Sequence, residues 1–514
     1  MPLLHEEPRR ALIARSMMET GEYFVPMLLN EIYTAKPPLY NWLIVAFSGP
    51  TGEVTEFTSR LPSAVFLLLI AILMVVGMRR YLSLPARVFL GFSILLAPEL
   101  MAKTSIAEIE IVFTFMVTLS IWGWYWLYDR GYSGFRLWLF PLTVVALSFL
   151  TKREPSLVFF YFSVTAFLVF DKRFKELFSI GHIVSFIIMC LIVGSWLSMM
   201  VERVGVDALL ESLQAQVINR GLTSSVLDYV KHILAYPLEL FAALLPFSLL
   251  LLTLFKRETR KSIRTHYGKL FVFAALTVLV NFPLYWFRGD AAVRYFLPMF
   301  PTILVITALL FEMYYQKTGE EQFARVVSRT VKVCVVFLML IACVFLLTAA
   351  IPLLKSAPPL LLPWYVTLLL AVPAVVLALK LTRLAYQGSI KVILPVFIMT
   401  MVIAKLIYFS AVLPYKLERV SENRNGNIAM REIEKFVPQE AKIQVLGHVH
   451  YSLWFYAKPH TLRTPVDFDK QSYSGFVMGY ENDPALKTMA TTDRWQEITR
   501  LDYRNRALIL GKLN

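Results

Sequence analysis

The chain has 514 residues, of which 57% are hydrophobic, 14% aromatic and only 17% charged. Soluble domains carry about 45–50% apolar and about 25% charged residues. The composition therefore excludes an ordinary soluble protein and predicts an all-α polytopic membrane protein. The net charge of +15 does not point to nucleic acid, because basic residues collect in short loops between apolar runs, where membrane topology accounts for them.

In chain order, residues 8–20 read as a helix with Pro8 at its start and Gly21 as its stop. Glu6 and Glu7 stand just ahead of it, where the helix dipole favours ionised carboxylates. Gly21 to Pro26 breaks the pattern, and a turn follows at Lys36-Pro37-Pro38. Residues 39–47 are apolar but too short to span a bilayer, and suit its interface. The bland reading of this stretch is a set of acids at a helix start plus a snorkelling lysine.

About twelve segments then approach the ~20 residues that cross a bilayer. They lie near 61–78, 87–102, 111–128, 137–151, 155–170, 179–200, 233–255, 270–287, 296–315, 331–353, 359–379 and 390–413. Basic clusters occupy alternate loops: Arg79-Arg80-Arg87, Arg130-Arg136, Lys172-Arg173-Lys175, Lys256 to Arg264, Lys317 to Lys332 and Lys380 to Lys391. The positive-inside rule makes these cytoplasmic. Residues 1–60, 103–110, 152–154, 201–232, 288–295 and the tail after 414 then face outward. That side receives Glu6, Glu7, Lys36, Glu108, Glu110, Lys152, Arg220, Arg288 and Arg294. Charges in or beside apolar spans are costly and tend to mark function; the alternative is ordinary interfacial charge.

The tail is a different material. It is polar, with a turn at Asn423 to Gly426, an amphipathic helix near 427–436, a strand over 442–446, a helix near 451–457 and a strand over 507–511. These predict a small α/β domain outside the membrane. The domain plan is a catalytic loop over 1–60, a transmembrane domain over 61–413 and the α/β domain over 414–514. His448, His450 and His460 beside Tyr451, Trp454 and Tyr456 read as surface and packing residues rather than a zinc site. Cys190, Cys334 and Cys343 lie in apolar runs without CxxC spacing and form no disulfide or metal frame.

Several motifs, in order, resemble the GT-C superfamily of polyprenyl-phosphate-sugar-dependent transferases, specifically the protein O-mannosyltransferase and aminoarabinose (lipid A) transferase group. Glu6-Glu7-Pro8-Arg9-Arg10-Ala11 matches Asp-Glu-x-Arg-Tyr-Ala, and Gly21-Glu22-Tyr23-Phe24-Val25-Pro26 matches Gly-x-Tyr/Trp-x-x-Pro. Lys36 to Leu39 matches Lys-Pro-Pro-Leu, and Arg60-Leu61-Pro62-Ser63 matches Arg-Leu-Pro-Ser. Ala107-Glu108-Ile109-Glu110 resembles a second acidic turn, and Leu150-Thr151-Lys152 resembles Leu-Thr-Lys-Gly. Arg294 to Pro301 matches Arg-Tyr-x-Leu-Pro-x-x-Pro.

The resemblance implies an inverting displacement on a lipid-phosphate-linked sugar, with an envelope lipid, glycan or protein as acceptor. Glu6 aligns with the catalytic Asp as candidate base, with Glu7 beside it. Glu110 aligns with the second acid and shares that task or orients the acceptor. Lys36, Arg9, Arg220, Arg294 and Tyr295 align with the donor-phosphate group, and Glu108 and Lys152 support it. Such chemistry needs a base for the acceptor proton and cations for the departing phosphate. No DxD element appears at the candidate site, so no cofactor is expected, with a divalent metal left open, and the bilayer rather than nucleic acid is the partner surface.

The sequence also departs from the family pattern. The first acid is Glu rather than Asp, Arg10 replaces an aromatic residue, and Lys152 is followed by Arg153-Glu154-Pro155 rather than Gly-Pro. The family has a membrane helix before its first loop, so an upstream segment is expected to be missing here. The competing reading is a multi-pass lipid or solute transporter or flippase, which would carry its charges at the midplane of broken helices in two related halves. No internal repeat is visible, and the charges sit at span ends. An inactive structural relative is the third reading. The expected location is a cell membrane, a bacterial inner membrane ahead of an archaeal plasma membrane, with the active loops and tail outside.

Overall fold

The computed structural model describes residues 2–217, 226–316, 425–438, 441–457, 462–463 and 473–514. Arg220, His460, Cys334, Cys343, the three expected spans after 330 and the last two basic clusters lie outside the described residues. Contacts divide the chain into two compact units. One draws on Met1–Ile32, Asn41–Ser59 and the described residues of Val412–Asn514; the other on Tyr33–Tyr40 and the described residues of Arg60–Ala411.

The second unit is helical. Among the described residues, six helices are long and apolar enough to cross a membrane, or seven if one bent pair counts as a span. The chain is therefore a multi-pass membrane protein. Helix α3 (Glu56–Gly77) opens the series; α4 (Leu84–Leu96) and α5 (Pro98–Thr104) form the bent pair, at 57°. Pro98 causes the break, since it has no N–H to continue the ladder of α4. Next come α6 (Glu110–Asp129), α7 (Phe135–Lys152) and α8 (Pro155–Phe170), the last a 16-residue helix short of a full span. Helix α9 (Ile180–Val217) turns at Gly205, where φ is +81°. The region expected as a loop over 201–232 is thus largely helical where it is described.

The span expected over 233–255 does not form as one helix. Helix α10 (Val226–Ala243) ends before Pro246, and Phe247–Phe255 winds as 3-10 turns. Apolar composition alone suggested a crossing there, but Pro246 interrupts the run. Helix α11 (Arg257–Trp286), a 3-10 turn at Val293–Met299 and α12 (Phe300–Tyr315) complete the described helices of this unit. At one end of the bundle the buried Glu312 accepts from the Ser83 amide (3.1 Å) and hydroxyl (2.5 Å), satisfying the start of α4.

The first unit contains α1 (Glu7–Thr20), α2 (Leu39–Ser48) from Asn41 onward, and a five-stranded sheet. Helix α1 ends at Gly21 in the left-handed region (φ +73°), whose N–H reaches Met17 O. At ten residues, α2 is about 15 Å long, half a bilayer core. The sheet takes β3 (Ile443–Val445), β4 (Leu462–Arg463), β5 (Gly475–Tyr480), β6 (Trp495–Tyr503) and β7 (Arg506–Leu513) in the order β4-β3-β5-β7-β6. β3 pairs parallel with β4 and β5, and the β5–β7–β6 ribbon is antiparallel. A short ribbon, β1 (Met27–Leu28) with β2 (Glu31–Ile32), lies near the N-terminus.

Alternation along the strands builds two cores. Met478, Leu508 and Leu510 pack with α13 (Gly426–Glu434) and α14 (Tyr451–Tyr456), while Val477 and Ile509 pack with α15 (Pro484–Ala490). The N-terminal residues join this unit instead of standing alone over 1–60. The Leu3 amide donates to Tyr456 Oη (2.7 Å), Arg15 donates to Phe455 O (3.1 Å), and Tyr456 Oη donates to Glu56 (3.1 Å). A 14-residue helix has no core of its own, and α1 obtains one against α14.

Candidate functional site

In the helical unit the residues around the α5–α6 turn form a buried ionic cluster. Lys103 at the end of α5 pairs with Glu108 at 2.7 Å, and Lys152 at the end of α7 stands 3.5 Å from Glu110 at the start of α6. Lys152 also lies 5.2 Å from the ring centre of Phe113 and 5.3 Å from that of Tyr295. Arg294 lies 5.4 Å from the same Tyr295 ring, and its charge acts on Glu108 and Glu110. Three cations thus face two carboxylates, leaving one positive charge in excess. The Nε of Arg294 is buried with no acceptor among the described residues. A buried donor left unpaired costs about 1–3 kcal/mol, and an anionic oxygen is the partner that would remove this cost.

The backbone that carries these groups is held by side chains from neighbouring segments. Ser63, fully buried in α3, donates to Ile106 O (2.9 Å) and lies 3.4 Å from Glu108 O. Tyr40 Oη sits 3.1 Å from the Ser63 hydroxyl. The Lys-Pro-Pro-Leu-Tyr segment, the Arg-Leu-Pro-Ser start of α3 and the acidic turn are therefore joined through one hydroxyl. Arg153, just after α7, is 3% exposed and donates from Nη2 to Thr34 O at 2.6 Å. Burial pulls its pKa down, with Glu154 and Tyr33 opposing. Its backbone has φ +63° and ψ −135°, a region nearly confined to glycine, at a cost of about 1–3 kcal/mol for other residues.

The two N-terminal acids have different surroundings in the other unit. Glu7 is 2% exposed and accepts the Leu4 amide at 2.8 Å, which fixes the entry to α1. Glu6 has a half-exposed side chain paired with Arg9 at 2.7 Å, and Arg9 also lies over the Tyr451 ring at 5.0 Å. His450 caps α14 by accepting the Ser452 amide (3.2 Å). Its burial, followed by the charges of Arg504, His5, Arg9 and His448, lowers its pKa to about 4. His448 faces Tyr451 Oη at 3.5 Å. Among the described residues no group of three His, Cys, Asp or Glu is placed to hold a metal ion.

Of the residues singled out from the sequence, Glu108, Glu110, Lys152, Arg294 and Tyr295 come together in the helical unit, which also contains Lys36. Glu6, Glu7 and Arg9 belong to the other unit. Arg288 makes a local, partly exposed pair with Asp290 at 2.6 Å. The sequence reading missed Lys103, whose signal was a lysine five residues ahead of Glu108 in the same polar turn. It also gave no role to Ser63, although the Arg-Leu-Pro-Ser motif was noted, and treated Arg153 only as a departure.

Residues 35–197 match the family described as dolichyl-phosphate-mannose-protein mannosyltransferase. An uncharacterised protein of Aquifex aeolicus is 25% identical over 485 residues, covering 89% of this chain and 83% of that protein. The undecaprenyl phosphate-alpha-4-amino-4-deoxy-L-arabinose arabinosyl transferase 2 of Pseudomonas fluorescens is 26% identical over 181 residues, or 35% of this chain and 33% of its own. The fold is shared with crystal structures of ArnT from Cupriavidus metallidurans, apo and bound to undecaprenyl phosphate. Each gives a TM-score of 0.70 over 99% of this chain and 94% of ArnT, at 14% and 15% identity. With the motifs in order and the ArnT fold in common, the chain resembles the GT-C superfamily of polyprenyl-phosphate-sugar transferases.

Proposed function

We propose that this protein transfers a sugar from a polyprenyl-phosphate carrier to an envelope acceptor on the outer face of the membrane. The observation that carries the reading is the buried cluster of Lys103, Lys152 and Arg294 against Glu108 and Glu110, with its net positive charge and unspent Arg294 donor. A phosphodiester-linked sugar arrives with one negative charge, and the polyprenyl phosphate leaves with about two. Pre-set cations stabilise that increase as the bond breaks. Lys36 and Tyr295 belong to the same donor-phosphate group by family resemblance, as do Arg9 and Arg220.

Glu6 is assigned as the base because its carboxylate is half-exposed, while Glu7 is buried and engaged with the chain entry to α1. Glu6 removes the proton from the acceptor nucleophile, which attacks the anomeric carbon. The bond from that carbon to the phosphate oxygen breaks, its electrons leave with the phosphate, and configuration inverts. Glu110, paired with Lys152, orients the acceptor or shares the proton. The basic clusters in alternate loops support an outer position for the N-terminal loop, the α5–α6 turn, the α7–α8 turn and the C-terminal sheet.

The test is transfer of label from radiolabelled polyprenyl-phosphate sugars to envelope acceptors, in membranes carrying wild type or Glu6→Gln. Transfer by wild type that is lost in the variant, at equal expression, supports both the activity and the base. Undiminished transfer by the variant removes Glu6 from that role. No transfer from any donor by wild type overturns the reading.

A further inference from the structure

Helix α7 is bracketed by two residues in nearly the same unusual backbone conformation. Gly134 before it has φ +54° and ψ −138°, and Arg153 after it has φ +63° and ψ −135°. At the first position the chain uses the residue that adopts this region without steric cost. At the second it uses one of the largest side chains, and buries it to 3% exposure. Such strain persists where the surroundings over-determine it, and it clusters at functional sites. The visible compensation is the bond from Arg153 Nη2 to Thr34 O at 2.6 Å.

Thr34 lies two residues before Lys36, and Pro37 and Pro38 follow it. Proline restricts its own φ and drives the residue before it toward extended backbone. The backbone at Lys36 is therefore fixed on its far side by Pro37 and on its near side by the carbonyl that Arg153 grips. The Arg153 backbone is continuous with Lys152, which pairs with Glu110 at 3.5 Å. One residue thus links the segment carrying Lys36 to the helix end carrying Lys152. Arg153 Nη1 remains buried with no acceptor among the described residues, so the guanidinium's hydrogen bonding is not exhausted by Thr34.

We propose that Arg153 is a positioning residue that clamps residues 33–36 to the end of α7 and sets the spacing of Lys36 and Lys152 for the donor phosphate. The proposal rests on the donor reading given above for those lysines. Glycine at 153 would fit the backbone and abolish the clamp, so strain and function are separable in a single substitution. In a merely structural role, relief of strain would improve the protein or leave it unchanged.

The experiment compares full-length wild type, Arg153→Gly and Arg153→Lys in detergent by three readouts. These are thermal midpoint, hydrogen–deuterium exchange of residues 33–36, and affinity for undecaprenyl phosphate as probe. The expected result for Arg153→Gly is a midpoint at or above that of wild type, faster exchange over residues 33–36, and at least tenfold weaker binding. Arg153→Lys keeps the charge but not the planar fork; it is expected to restore less than half of the lost binding free energy. Unchanged exchange in the well-folded Gly variant overturns the clamp. Faster exchange with unchanged probe affinity overturns its role in donor binding. Faster exchange in the variant, with no probe binding by wild type, overturns the donor reading beneath the proposal and leaves the clamp standing.

Discussion

Lys152 Nζ stands 3.5 Å from Glu110 Oε1, with each side chain about nine-tenths buried. The pair connects the end of α7 to the start of α6, where an unpaired charge would be taken from water without compensation. Removing one partner of a buried pair costs more than removing both. Lys152→Met is therefore expected to destabilise the protein by about 3 kcal/mol. The double variant Lys152→Met with Glu110→Gln should recover much of that loss. Thermal unfolding of the purified protein in detergent measures both, and strictly additive losses would show that the two groups are not coupled.

Ser63 has one hydroxyl proton, which it gives to Ile106 O at 2.9 Å, so the 3.1 Å contact with Tyr40 is donated by the tyrosine. Ser63→Ala removes both bonds at a fully buried position, at an expected cost of about 1–3 kcal/mol. Combining it with Tyr40→Phe should add less than the sum of the two single losses. Because the same hydroxyl supports the backbone of Glu108, the Ser63 variant should also lose transfer rate at temperatures where it is fully folded. A folded Ser63→Ala protein with wild-type rates would reduce this contact to packing alone.

The two N-terminal acids are expected to separate cleanly. Glu6→Gln removes the only basic site of a half-exposed carboxylate, and general-base catalysis contributes about 10²–10⁴-fold. A rate loss of about that size is expected, with little change in thermal midpoint. Glu7→Gln retains a carbonyl oxygen that can still accept the Leu4 amide, so most activity should survive with a small drop in stability. Steady-state transfer rates with both variants decide it; the opposite ranking would move the base to Glu7.

How much of this was legible in the sequence depends on which physical signal each element carries. Helix α1 was readable at both ends, because Pro8 and Gly21 act locally. Strand β3 showed as Ile443 and Val445 either side of Gln444, and β7 as an apolar run, whereas β5 opens on a glycine and contains another, and β6 is interspersed with charged residues. Those two strands make sense only beside their neighbours. The 233–255 span failed because composition does not register the break at Pro246. The ionic cluster was visible as charges at span ends, but the pairing of Lys103 with Glu108 and the reach of Arg153 to Thr34 are tertiary facts. No sequence spacing encodes a contact between residues 119 positions apart.

His450 gives the sheet-bearing unit a pH response. Its Nδ1 accepts the Ser452 amide at 3.2 Å and faces the Ser452 hydroxyl at 2.8 Å, a role that requires the unprotonated ring nitrogen. Its pKa falls from 6.5 to about 4 in the folded protein, through burial first and then Arg504, His5, Arg9 and His448. Between these values the unfolded chain binds the proton and the folded chain resists it. The stability owed to neutral His450 is therefore fully present above about pH 6.5, and is lost as pH falls toward about 4. With its partial exposure discounted, the loss is about 2 kcal/mol. His450→Asn keeps a capping side chain without the titration, so the fall in thermal midpoint between pH 7.5 and pH 4.5 should shrink in that variant. An unchanged pH slope would place the proton uptake elsewhere, with His5 and His448 the next groups to substitute.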